Sequence, residues 1–271
     1  GDRGPESDEP AFDYVGQARS GIMNMINEPS LGPVAVTGGI ADQMGAVMLS
    51  YGILAALVAR QYHGVGQEVN TSMLGAMITL QGMNFGPRLL LGHCPPPFAR
   101  NDQTNPIFNH YRCRDGRWVA IAHLQPDRVW PNLCRALGIE HLEQDPRFHN
   151  ASQREQNRKE CIAALDQAFA SAPAEEILKR LRKEGIPSTL VATIDEVVVD
   201  PQVIANEYIV DFDHPDLGRT KLWKLPIHFS KTPAVHRLPA PELGQHTEEV
   251  LLEVGGYTWD EIVQLREEGV L

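Results

Sequence analysis

The chain has 271 residues, 42% of them hydrophobic, and its 24 Lys and Arg against 35 Asp and Glu leave a formal charge of −11. This is an ordinary globular composition, with enough apolar material for one large domain or two modest ones. The acidic balance supplies no basic stripe, and no zinc-finger or aromatic-basic motif is present, so nucleic acid is not expected as a partner.

The first 35 residues carry Pro5, Pro10, Pro29 and Pro33, with a helix predicted within residues 12–25. Residues 34–42 read as a short apolar element that ends in Gly38-Gly39 and is followed by Asp42. Met44, Val47, Met48, Tyr51, Leu54, Ala55 and Val58 then recur at helical spacing, and Arg60, His63 and Gly64 close the helix. Its other faces are apolar too, which predicts burial on several sides. The uncharged run 43–59 is shorter than the about 20 residues a membrane span needs and contains Gln43, Gly45, Ser50 and Gly52, so no membrane partner is expected.

A strand is predicted over 65–73 and a second long helix over 74–91. Pro95-Pro96-Pro97 and the polar residues after them place a domain boundary near 97. Asp115-Gly116 between two alternating segments predicts a hairpin, with helices near 126–137, 152–170 and 174–184 behind it. Residues 191–231 return to strand character around a turn at 213–218, and two helices carrying Val250, Leu251, Ile262 and Leu265 end the chain. Cys94, Cys113, Cys134 and Cys161 form no C-x-x-C pair, which argues against zinc and for reduced thiols in the cytoplasm. The polar, acidic N-terminal segment has no basic-then-apolar signal.

P-loop, G-x-S-x-G, H-E-x-x-H and G-x-G-x-x-G motifs are all missing. The residue that stands out is Asp42, a carboxylate at the mouth of an uncharged helix. As an N-cap it would accept from the N2 or N3 amide. As a nucleophile it would work beside Gly38 and Gly39, whose bare backbone lets substrate approach and whose amides can stabilise an oxyanion. The residue types alone leave both roles open.

The stretches Pro10-Ala11-Phe12-Asp13, Ala41-Asp42-Gln43-Met44-Gly45-Ala46, Gly52-Ile53-Leu54-Ala55-Ala56-Leu57, Gly64-Val65-Gly66-Gln67-Glu68-Val69 and Leu243-Gly244-Gln245-His246-Thr247 occur in that order. Together they resemble the family III (CaiB/BaiF) CoA-transferases over essentially the whole chain. The resemblance implies an α/β fold: an incomplete Rossmann-like large domain in 1–96, a smaller α+β domain in 97–190, and a linker and C-terminal segment returning to the large domain in 191–271. It implies movement of CoA between carboxylic acids through covalent intermediates on Asp42, with a CoA thioester as substrate and no metal. Asp13, Gly38, Gly39 and Gln43 are the substrate-binding candidates, Asp13 because some members place a second acidic residue there.

The family's racemase branch pairs the aspartate with a preceding histidine. This sequence has Phe12 at that place and no histidine before His63, so the branch stands as the alternative, with a noncatalytic subunit or fragment as the other. The opening strands of the family's large domain and most of the expected contacts to the CoA nucleotide have no counterpart here, which leaves three readings: one subunit of a split enzyme whose missing segment another polypeptide supplies, a processed product lying beside its N-terminal piece, or a truncated piece. An interlocked homodimer is the assembly the resemblance implies.

Overall fold

The computed structural model describes residues 1–26, 29–94 and 96–271, so Pro95 of the predicted linker lies outside the described residues. Two compact units emerge, Gly1–Val191 and Ala192–Leu271.

In the first unit, α1 (Asp13–Arg19) is shorter than predicted: Gly21, at φ 81°, ends it and a 3-10 turn, Ile22–Asn24, follows. Gly38 and Gly39 both take positive φ and lead into α2 (Ile40–His63), which stops at Gly64. There the Gly64 amide donates to the Arg60 carbonyl, the helix end expected from the sequence.

The single helix predicted over 74–91 is two, α3 (Met73–Leu80) and α4 (Gly82–Leu91). Between them Gln81 leaves helical geometry, and its side-chain amide donates to the carbonyls of Ser20 and Met77. A cross-chain bond thus takes the place of helix continuity. The predicted strand at 65–73 does not form. Among the described residues nothing bonds to the backbone of residues 65–71, and a strand exists only with a neighbour to pair with.

Nor is α2 buried on several sides. Only Ala41 is buried, and Tyr51 (70% exposed), Leu54, Leu57 and Val58 face outward, because α1 and α3 cover only part of an all-round apolar helix. By length and composition alone, α2 is the helix among the described residues that could cross a membrane.

The rest of this unit is the predicted hairpin with helices on one face. β1 (Phe108–Arg112) pairs antiparallel with β2 (Trp118–Ala122), Tyr111 opposite Val119. Behind them lie α5 (Pro126–Leu137), α6 (Ala151–Gln156), α7 (Arg158–Phe169) and α8 (Ala174–Lys183), and β3 (Ser188–Leu190) adds to β2 antiparallel. The helix predicted over 152–170 is broken at Asn157 into α6 and α7.

Alternation along the strands sends Tyr111, Val119 and Ile121 inward, onto Trp130, Leu133, Ile162, Leu165, Phe169, Ile177 and Leu181. Tyr111 stacks on Phe169 at 4.6 Å between ring centroids. Asp115 joins the hairpin turn to a helix: one oxygen accepts from the Arg117 amide and the other from the Ala174 amide at the start of α8.

The second unit opens with α9 (Ile194–Val197), held by a Thr193–Glu196 capping box, and α10 (Pro201–Ala205), capped by Asp200. β4 (Ile209–His214) and β5 (Gly218–Trp223) form the predicted hairpin. Two helices follow, α11 (Thr247–Glu253) and α12 (Trp259–Glu267), the latter with a Thr258–Glu261 capping box.

Candidate active site

The site is built on the first turn of α2. Gly39 occupies the N-cap position with φ 72°, a left-handed conformation that glycine adopts without penalty and in which it has no side chain to cap with. The cap arrives from another helix. Asp13, the first residue of α1, points one carboxylate oxygen, Oδ1, at the start of α2 and accepts from the Ala41 amide at 2.6 Å and the Asp42 amide at 3.4 Å. Asp42 is therefore not the cap of its own helix. It is a first-turn residue, and among the described residues its carboxylate accepts no hydrogen bond.

This division of labour matters chemically. Asp13 satisfies orphan amides and the positive end of the helix dipole. Asp42 is left exposed, with its lone pairs uncommitted. Its Oδ2 lies over the glycine turn, 3.7 Å from where a Cβ on Gly39 would be. Neither the Gly38 nor the Gly39 amide donates to any described residue. Burial works against the charge on Asp13, but hydrogen bonds from Gln17, then from the Ala41 and Asp42 amides, outweigh it and hold its carboxyl below the usual aspartate value.

Asp42 lines a cavity of about 730 Å³ together with Arg3, Arg19, Gly45, Leu49 and Ser72. Arg19 is ion-paired with Glu6, while Arg3 has no carboxylate partner among the described residues. Asp13, Gly38, Gly39 and Gln43 do not line it. Asp13 sits behind the turn as its cap, the two glycines form the turn, and Gln43 is exposed, its amide making the first helical bond to Gly39.

Close packing brings the turn to this place. A Cβ on Gly16 of α1 would lie 3.1 Å from the Ala41 Cβ and 3.3 Å from the Met73 Cβ, tighter than ordinary contact, so a side chain there would need the neighbouring helices to give by a few tenths of an ångström. Gln17 was not among the predicted site residues, yet it is completely buried and hydrogen-bonded to Asp13. Its spacing four residues after Asp13, which puts both on one helical face, was the available signal.

A second cavity, about 720 Å³, lies between α4 and the hairpin and is lined by Met83, Pro87, Phe98, Phe108 and His110. Burial, and then the Arg100 charge, push the His110 imidazole below its usual value, so it is neutral near pH 7. Burial raises the thiols of Cys113 to about 11 and of Cys134 and Cys161 to about 12, which leaves them protonated and unsuited to nucleophilic attack. Among the described residues no three His, Cys, Asp or Glu side chains converge as a metal site.

The chain belongs to CoA-transferase family III, whose model matches residues 1–247. It is 26% identical over 263 residues to the (R)-2-hydroxy-4-methylpentanoate CoA-transferase of Clostridioides difficile, covering 94% of this chain and 64% of that protein. A succinyl-CoA–D-citramalate CoA-transferase of Chloroflexus aurantiacus is 27% identical over 271 residues, covering all of this chain and 67% of its own. The crystal structure of a CaiB/BaiF family protein from Brucella suis superposes with a TM-score of 0.81 at 25% identity, over 93% of this chain and 65% of that one. The α/β fold is thus that of the family, and the chain spans about two thirds of the length of these relatives.

Proposed function

We propose that this chain carries the nucleophile of a CoA-transferase that moves CoA between carboxylic acids. The observation that carries the reading is Asp42: a carboxylate without a hydrogen-bonding partner among the described residues, in a cavity, on a helix whose first turn another carboxylate already caps. Membership of the family and the CoA-transferase names of its relatives support it.

In this reading an Asp42 oxygen attacks the thioester carbonyl, CoA leaves as thiolate, and an acyl-aspartyl anhydride remains. The thiolate then attacks the Asp42 carbonyl, releasing the donor acid and forming an aspartyl-CoA thioester. The acceptor carboxylate reverses the two steps: it attacks the aspartyl carbonyl, expels CoA, and its anhydride is opened by the thiolate to free Asp42. The Gly38 and Gly39 amides, with no acceptor among the described residues, are the donors proposed for the oxyanions. Gln43, exposed beside Asp42, is a substrate-contacting candidate, and Asp13 serves the site as a cap. The CoA thioester is the substrate, and no step needs a metal.

The proposal includes a Rossmann-like large domain in 1–96 completed by a further polypeptide segment, a small domain in 97–190, a returning segment in 191–271, and a cytoplasmic homodimer. The apolar face left open on α2 supports such a covering. The racemase alternative has less support: Phe12, 80% exposed, stands beside Asp13 where that branch needs a base.

The deciding experiment incubates the full-length protein with an acyl-CoA, adds hydroxylamine, and maps the product by peptide mass spectrometry. A hydroxamate on Asp42 is expected. An unmodified Asp42 with turnover intact would overturn the nucleophile, and deuterium entering the α-carbon from solvent would move the chain to the racemase branch.

A further inference from the structure

Gln17 makes three hydrogen bonds from a position with no solvent exposure. Its Nε2 donates to Asp13 Oδ2 at 2.7 Å and to the Val36 carbonyl at 2.8 Å, and its Oε1 accepts from the Val36 amide at 2.9 Å. The orientation of this amide is set by chemistry. A backbone carbonyl can only accept and a backbone amide can only donate, so the NH₂ end must face the Val36 oxygen and therefore Asp13. Asp13 then meets donors on both sides, Gln17 at Oδ2 and the first-turn amides of α2 at Oδ1. A protonated Asp13 would turn a donor toward a donor.

We infer that Gln17 is a positioning residue of the active site: it holds Asp13 as an ionised acceptor on the first turn of α2, and ties that turn to the segment that delivers Gly38 and Gly39. The inference rests on the reading of Asp42 as nucleophile, since positioning has a catalytic meaning only there. Gln17 joins three stretches of chain. α1 contributes Gln17 and Asp13, the approach to the glycine pair contributes Val36, and α2 contributes the Ala41 and Asp42 amides. A second strut, from the Val34 amide to the Met23 carbonyl at 2.9 Å, ties the same approach to the turn after α1.

The substitution Gln17→Glu changes little in shape but removes both donor protons. An ionised carboxylate at this position would face the Asp13 carboxylate and the Val36 carbonyl, two acceptors, and the pair would hold together only by taking up a proton. Among the described residues the other ionisable groups around the junction are few: Asp42 on α2, Tyr14 and Arg19 on α1, and Glu6 of the preceding segment, which pairs with Arg19. The 34–39 segment and α3 carry none. The variant should therefore gain a titration near neutrality that the parent lacks.

The test compares Gln17→Glu with the parent in the full-length protein, following CoA exchange from pH 5.5 to 8.5. Expected is a kcat loss of about 10- to 100-fold at pH 8, of the size that small misplacements produce, with a smaller change in KM. Activity should recover as pH falls, a descending limb missing from the parent. In parallel, amide hydrogen exchange at Ala41 and Asp42 should lose about tenfold in protection at pH 8 and regain it at pH 6, an effect on the scale of one weakened cap. Gln17→Asn, uncharged but too short to reach both partners, should show the losses without the pH limb, and replaces the first variant should that one not fold. Parent-like protection at both amides in both variants overturns the inference. Since protection is read without turnover, retained exchange in Asp42→Ala would sink the nucleophile reading separately.

Discussion

Two regions of the first unit are held in different ways. Around Trp130 and Phe169, buried side chains from β1, β2, α5, α7 and α8 form one continuous apolar core. Under the site, the described cluster comprises only Ile22, Met23, Ala41 and Met77, and most of the apolar surface of α2 stays open. The hairpin region owes its order to burial, which is non-directional and spread over many side chains. The site region owes its order to directional devices: the Asp13 cap, the Gln17 junction, the Gln81 bridge and the close approach at Gly16. Directional contacts are few, so each one decides geometry. Damage should therefore read as lost stability in the first region and as lost activity in the second.

The largest effect expected from this contrast is chemical. Asp42→Ala should reduce acyl transfer by about 10⁴-fold or more, the scale of nucleophile deletions, without changing the melting temperature, because the side chain makes no hydrogen bond among the described residues. A Tm shift comparable to that of a core mutant would erase the distinction. On the other side, Phe169→Ala empties a fully buried position stacked on Tyr111 and should cost about 3–5 kcal/mol in denaturant unfolding.

Gly16→Ala tests the border between the two regimes. The new methyl meets two Cβ atoms held by helix backbones, so α1 has to back away, at about 1–3 kcal/mol, and activity should fall further than that loss of stability alone would bring about. Equal losses in the two measurements would make the site region an ordinary core.

The smallest effect concerns pH. Asp13 has a lowered pKa, so its cap contributes fully above the ordinary aspartate value of about 3.9 and is lost as pH falls below that through the lowered one. Amide exchange at Ala41 and Asp42 should lose protection in that acid window while the hairpin core remains protected.

How much of this was legible in the sequence varies by feature. The Gly64 helix end, the Asp115-Gly116 hairpin and the 213–218 turn were readable because each is specified by residues adjacent in the chain. Asp42 could be singled out as a carboxylate after a glycine pair, but the sequence left its role divided between cap and nucleophile. The breaks at Gln81 and Asn157 were not legible, since helical periodicity runs across both.

Sequence by itself determined the elements whose contacts lie within a turn or two, and, through five short motifs in order, the family. Tertiary structure alone decided which carboxylate caps α2, which side chain orients that carboxylate, and which apolar faces are covered. The partners in those contacts stand far apart along the chain, Asp13 from Ala41 and Gln17 from Val36, and no local propensity encodes them. They exist because helix packing at Gly16 brings the α1 backbone against α2, where a buried donor without an acceptor would be costly.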